Sequence, residues 1–123
     1  MAQESVRELV VLMTRGTDHE LSSVGFTIAN GAITAGMKVY VFLTSSAVDL
    51  ARRGALDFIQ VSPLEPLKKQ VDDLLARGGV VWACLPCVKA RGYTEDSFIP
   101  GVVIQGASAM HEWLKAGAAS LSF

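Results

Sequence analysis

The sequence predicts an α/β fold, a parallel sheet sandwiched by helices, on three observations. Short apolar runs, "VVLM", "VYVFL", "VVWAC" and "VVIQ", alternate with helix-like segments along the whole chain, the pattern of strands joined by right-handed crossovers. Most of these runs are continuous rather than alternating, as strands covered on both faces are. Half of the 123 residues are hydrophobic but only 7% are aromatic, and eleven are glycine. Such a composition suits helices that approach a buried sheet closely through small residues.

The elements follow in order. "VRELVVLMT" (6–14) ends as a buried strand, and the polar "RGTDHELSS" is a loop. "SVGFTIANGAITAG" (23–36) reads as a helix with Val24, Ile28 and Ile33 near helical spacing and Gly36 as its stop. "MKVYVFLT" (37–44) is a β-branched and aromatic strand. "SSAVDLARRG" reads as a short helix with a serine cap and Gly54 after it, and "ALDFIQVSP" as loop with some strand character. "PLKKQVDDLLARGG" (66–79) is the clearest helix: Pro66 suits the first turn, Leu67, Val71, Leu74 and Leu75 share a face, and two glycines end it. "VVWAC" is the third strand, followed by a short turn or helix and the loop "TEDSFIPG". "VVIQG" (102–106) is the fourth strand, "SAMHEWLKAGA" an amphipathic helix, and "SLSF" a candidate edge strand.

No linker, repeat or low-complexity segment divides the chain, so residues 1–123 are expected to form one domain large enough for its own core. The net charge of −1 excludes the basic footprint of a protein that binds a phosphate backbone, so no direct nucleic-acid partner is expected. Glu4, Arg7 and Glu8 break any apolar leader. No run approaches the roughly 18 apolar residues of a membrane helix, so neither membrane insertion nor export is expected. The expected location is the cytoplasm. There, two cysteines three apart point to redox, catalytic or metal chemistry rather than to a structural disulfide.

Those cysteines are Cys84 and Cys87, in "VVWACLPCVKARGY". In an open α/β sheet the ligand crevice lies beyond the carboxyl ends of the strands. Here those ends are 14–18, 44–46, 84–87 and 106–108, so both thiols fall on that edge. Pro86 can open a helical turn whose free amides point back at Cys84, and Lys89 and Arg91 add positive charge; each favours a thiolate. Three chemistries use such a pair. A thioredoxin-type dithiol is disfavoured, because that motif comes early in its fold at the head of a long helix, whereas here Gly92 interrupts any helix. Zinc would need His19 and His111 as further ligands, without a second C-x-x-C or an H-x3-5-H, so no metal is expected. A single reactive thiolate with a neighbouring thiol remains. "GASAM" (106–110) lacks the closing glycine of a nucleophile elbow, and Ser108 reads as a helix cap. Asp72–Asp73 and Lys68–Lys69 read as solvated surface, and no phosphate-binding or dinucleotide fingerprint occurs, so no cofactor is expected.

The order of elements, a cysteine closing the third strand, and C-x7-G with Arg91 before Gly92 resemble the DsrE/DsrF/TusD-like sulfur-relay proteins. "TRG" after the first strand, "TSSAV" after the second and the ending "GVVIQGASAMHEWLKAGAASLSF" are similar to that family too. The resemblance implies a three-layer α/β/α sandwich on a mainly parallel, roughly five-stranded sheet, and assembly into homo-oligomers such as trimers or hexamers. It also implies that one cysteine, matching Cys84, accepts sulfane sulfur as a persulfide from a carrier protein and hands it to a downstream partner. Cys87 departs from the characterised relay members. A thiol so close can attack a Cys84 persulfide, releasing sulfide and leaving a disulfide, or protect Cys84 from over-oxidation. The leading expectation is therefore a persulfide-carrying sulfurtransferase with Cys84 as nucleophile, Lys89 and Arg91 stabilising its thiolate, and Cys87 modulating. The alternatives are a thiol–disulfide sulfur reductase using both cysteines, and an oligomeric protein that binds a small ligand or a partner's tail in the strand-end crevice.

Overall fold

The computed structural model describes residues 7–123; Glu4 and Val6, used in the reading of the N-terminal segment, lie outside them. Five strands form one parallel sheet: β1 (Glu8–Met13), β2 (Lys38–Leu43), β3 (Val80–Cys84), β4 (Val102–Gln105) and β5 (Ala119–Ser122), in the order β4-β3-β2-β1-β5. The chain walks from β1 to β4 in one direction and then crosses back to place β5 outside β1. Right-handed connections running in opposite directions put their helices on opposite faces, so a three-layer α/β/α sandwich results.

The helices are α1 (Glu20–Thr34), α2 (Leu67–Ala76), α3 (Leu85–Ala90) and α4 (Ala107–Lys115). Side-chain alternation assigns them to faces. Met13 lies so close to α1 that a Cβ built on Gly25 would meet its Sδ at 2.5 Å. Met13 pairs with Leu43, so Leu9, Val11, Val39, Val41 and Leu43 share the α1 face, and every one of them is buried. On the other face, Trp113 of α4 stacks on Tyr40 with centroids 4.4 Å apart, and Tyr40 stacks on Trp82 at 5.3 Å. Lys38 Nζ lies 5.7 Å from the Tyr40 ring centroid, a cation over the stack. Layers of this kind bury enough apolar surface to hold the strand ends, where the cysteines sit, in fixed positions.

Several local readings are corrected. Helix α1 begins at Glu20, three residues earlier than predicted, because His19 caps it: its Nδ1 accepts the Leu21 N–H at 3.1 Å. The fully buried face of α1 is Ser22, Ser23, Gly25, Phe26 and Ala29; of the residues read at helical spacing, Ile33 packs half-buried against the core, Val24 is half-buried and Ile28 is 38% exposed. Small residues win this face because α1 packs close to Met13 and against α2. Thr27 donates to Gln70 Oε1 at 2.8 Å, and Asn30 Nδ2 to the Gln70 carbonyl at 2.9 Å. The segment after β2 is a 3₁₀ turn, Ser45–Ala51, capped by Thr44 without a side-chain bond, rather than a serine-capped α-helix. Residues 55–66 form no strand, with turns at 55–58 and 62–63 joined by irregular chain. Pro66 is the cap of α2, just outside its first turn, and of the predicted face Leu67, Val71 and Leu74 are buried. The strand "SLSF" is present at the sheet edge beside β1.

The strand-end loops are tied to one another. Ser22 Oγ reaches the Arg15 and Gly16 carbonyls at 2.9 and 2.7 Å, which pins the loop after β1. Gly16 lies so close to the next loop that a Cβ there would come within 3.0 Å of the Ser46 carbonyl oxygen. Thr14 donates both its N–H and its hydroxyl to the Phe123 carbonyl, at 2.8 and 2.9 Å.

Candidate functional site

Cys84 is the last residue of β3 and the cap of α3, with φ −60° and ψ 121°. Pro86, at the start of the helix, favours the turn without needing an N–H there. One turn on, Cys87 falls back over Cys84, and the two Sγ atoms are 3.2 Å apart. Neither is in a disulfide; Cys84 is buried at 8% exposure, and Cys87 is half-buried. Gly92 has φ +72°, the left-handed conformation that ends the helix, and its N–H returns to the Lys89 carbonyl at 3.0 Å. The eight-residue step from Cys84 to Gly92 thus spans one strand end, one short helix and its stop.

Because β2 lies beside β3, the corner after β2 abuts the cysteines. Ser45 is the one residue other than glycine with positive φ among the described residues, at 54°. That left-handed turn aims its N–H at Cys87 Sγ, 3.1 Å away, and Thr44 Oγ1 stands 3.5 Å from the same sulfur. Arg91 reaches back to the Cys87 carbonyl at 3.3 Å. Burial pushes the Cys87 thiol up, but the Thr44 hydroxyl, the Cys84 thiol, the Ser45 N–H and the Arg91 charge together hold it below its ordinary value. The chemical result is a thiolate-prone sulfur in contact with a second thiol.

This arrangement differs in one respect from the expected nest. The donors found converge on Cys87, and Cys84 makes no cap bond to the turn amides that follow it. The reason is geometric: the Cys84 side chain leaves the end of the strand, while Cys87 projects over it toward β2. Arg91 acts on Cys87, and Lys89 is exposed on the last turn of α3. Sequence reasoning placed residues 44–46 on the sheet edge but did not single out Thr44 and Ser45. The signal available was "TSS" closing the strand expected to neighbour the cysteine strand, since consecutive strands are commonly adjacent.

A second polar latch steadies the site. Tyr93 donates to Asp49 Oδ1 at 2.7 Å, which keeps its phenol protonated to higher pH, and Arg52 stacks 4.7 Å from its ring centroid. The loop after α3 is thereby tied to the 3₁₀ turn that begins with Ser45. His19 is occupied as the cap of α1 and His111 is exposed on α4. No group of three or more His, Cys, Asp or Glu side chains converges among the described residues. A cleft of about 280 Å³ opens elsewhere, between α1 and α2, lined by Thr27, Asn30, Leu64, Gln70, Asp73 and Arg77 among others. None of the strand-end residues lines it. Among the described residues no helix is long and apolar enough to cross a membrane.

Comparison with known proteins agrees with this architecture. A model of the DsrE/DsrF-like family matches residues 7–123. The uncharacterized protein MK0008 of Methanopyrus kandleri is 30% identical over 106 residues, which is 86% of this chain and 84% of that protein. The uncharacterized protein MJ0760 of Methanocaldococcus jannaschii is 27% identical over 92% of this chain but 42% of its own length. Among solved structures, the ychN protein from E. coli superposes with a TM-score of 0.81 at 20% identity, covering 96% of this chain and 100% of that one. MTH1491 from Methanobacterium thermoautotrophicum gives 0.75 at 18% identity, covering 95% and 99%. At these identities the two structures speak to the fold.

Proposed function

We propose, from the premise that this chain belongs to the DsrE/DsrF-like family, that it is a sulfur-relay protein carrying sulfane sulfur as a persulfide on Cys84. The observation that supports this most is the pair of free thiols at the carboxyl edge of the sheet, 3.2 Å apart, with hydrogen-bond donors aimed at one of them. Cys84 is the acceptor because it closes β3 eight residues before Gly92, the position the family resemblance assigns to the carrying cysteine. Its burial shields a terminal persulfide sulfur from stray thiols and oxidants. Arg91 and the Thr44–Ser45 corner supply the polar surroundings that a persulfide anion needs, and Lys89 adds charge at the rim.

The donor and acceptor are sulfur-carrier proteins that present a persulfide or thiolate to the strand-end edge, in the cytoplasm. Assembly into a homotrimer or hexamer is supported by exposed apolar side chains on the edge strands, Val103 at 46% and Leu121 at 43%, and by the outward Ile28. Intact-mass spectrometry after incubation with thiosulfate, inorganic polysulfide or a protein persulfide tests the reading. The expected adduct is one sulfur atom, retained when the neighbouring thiol is removed in Cys87→Ser and lost in Cys84→Ala. Absence of any adduct, in the wild-type chain and in Cys87→Ser alike, removes the carrier reading and leaves a ligand-binding protein.

A further inference from the structure

We infer that Cys87, whose sulfur faces the Ser45 amide and the Thr44 hydroxyl and touches Cys84, is a resolving nucleophile that turns a Cys84 persulfide into sulfide and an internal disulfide. The inference rests on the reading that Cys84 takes up sulfane sulfur. Under it the site reduces sulfane sulfur as well as carrying it, and Thr44 and Ser45 gain a chemical role as positioning residues.

The geometry supplies each requirement. Reacting atoms held about 3–3.5 Å apart are in a near-attack arrangement, and the two sulfurs stand at 3.2 Å. Attack needs the thiolate form on Cys87, and the donors converge on that sulfur. Ser45 keeps a left-handed backbone conformation that is unfavourable for a residue with a side chain, and its N–H is thereby turned to Cys87. Strain of this kind persists where the surroundings fix it, and it is common at reactive sites.

The chemistry balances without an external oxidant. Uptake begins as the Cys84 thiolate attacks a sulfane sulfur of inorganic polysulfide, forming Cys84 Sγ–Sδ while the polysulfide leaves one sulfur shorter. The Cys87 thiolate then attacks Cys84 Sγ, forming the Sγ–Sγ bond. The Sγ–Sδ bond breaks with its electron pair on Sδ, which takes a proton from water and departs as hydrosulfide. Sulfane sulfur is reduced to sulfide, and the two cysteine sulfurs are oxidised to a disulfide. A further turnover needs a dithiol reductant to reopen that disulfide, so polysulfide alone gives one turnover per chain.

The test uses the intact chain, reduced and freed of reductant, then treated with inorganic polysulfide and desalted at once. Sulfide released afterwards is measured together with intact mass and peptide mapping. Wild type is expected to release one equivalent of hydrosulfide and to end as the Cys84–Cys87 disulfide. Cys87→Ser is expected to release none and to keep one extra sulfur on Cys84. Thr44→Val, which keeps the shape of the side chain, is expected to release sulfide severalfold more slowly, with its pH profile moved upward; Thr44→Ser restores both. A wild-type chain that retains the extra sulfur without releasing sulfide overturns the resolving role while leaving Cys84 as a carrier. An adduct that survives in Cys84→Ser and is missing in Cys87→Ser reverses the two roles and also overturns it. No adduct in any variant brings down the carrier reading itself.

Discussion

At the scale of single residues, the decisive features are two thiols with unequal surroundings and the backbone turn that makes them so. Cys87 sits below its ordinary thiol pKa because hydrogen bonds to its anion outweigh burial. A lowered pKa leaves the thiolate populated further down the pH scale, so alkylation of Cys87 should persist at pH values below the roughly 8.5 of an unperturbed cysteine. Iodoacetamide labelling across pH, with peptide mapping to separate the two cysteines, measures this; a Cys87 midpoint at or above the ordinary value contradicts it. Ser45 offers a cleaner probe, since its contribution comes from the backbone N–H. Ser45→Gly keeps that donor while removing a left-handed strain of about 1–2 kcal/mol, partly offset by glycine's entropy. The expected result is equal or slightly higher stability in urea, with Cys87 labelling unchanged. At this scale Cys84 and Cys87 were legible as a pair on the sheet edge. Their inequality was not, because the groups that create it lie 42 and 43 residues away in sequence.

Elements were legible where the apolar pattern was strong. The first four apolar runs became β1 to β4, the last of them at a sheet edge, and α2 formed on its Leu67, Val71 and Leu74 face. Helix α1 misled because its largest aliphatic residues are not its most buried ones: the close approach to Met13 selects Gly25, Ala29 is buried beside it on the same face, and Ile28 is exposed. This reversal is testable. Phe26→Ala, at 1% exposure, should cost about 3–5 kcal/mol in denaturant unfolding. Ile28→Lys, on the opposite side, should leave the stability of the folded chain nearly unchanged. The i,i+4 pairs Lys68–Asp72 and Lys69–Asp73 are solvent-exposed, and their removal should not move the unfolding midpoint measurably. The 3₁₀ geometry of residues 45–51 escaped sequence reasoning because "SSAVDLA" has the composition of an ordinary helix start. What it adopts is set by the contacts of Ser45 with Cys87 and of Gly16 with Ser46.

For the whole molecule, the strand order explains why distant segments form one site. Consecutive walking from β1 to β4 puts the corner after β2 beside the end of β3, and the return crossover brings Phe123 against the loop after β1. Composition and element order foretold the parallel α/β class. The place of the last strand came from the family resemblance and the terminal "SLSF", since a four-residue strand carries little periodic signal. Val103 and Leu121 lie half-exposed on the two edge strands, where unpaired backbone invites a partner. Val103→Lys or Leu121→Lys should therefore lower the mass measured by light scattering while preserving the fold by circular dichroism; a wild-type chain that is monomeric at all concentrations contradicts the proposed homo-oligomer.

Whether sulfane sulfur comes to rest on Cys84 is decided by peptide-level mass spectrometry of the Cys87→Ser chain. After polysulfide treatment and alkylation, an alkylated persulfide is expected on the peptide bearing Cys84, absent from the double variant Cys84→Ser/Cys87→Ser. A Cys84 found simply alkylated, with no additional sulfur under any donor, would contradict it.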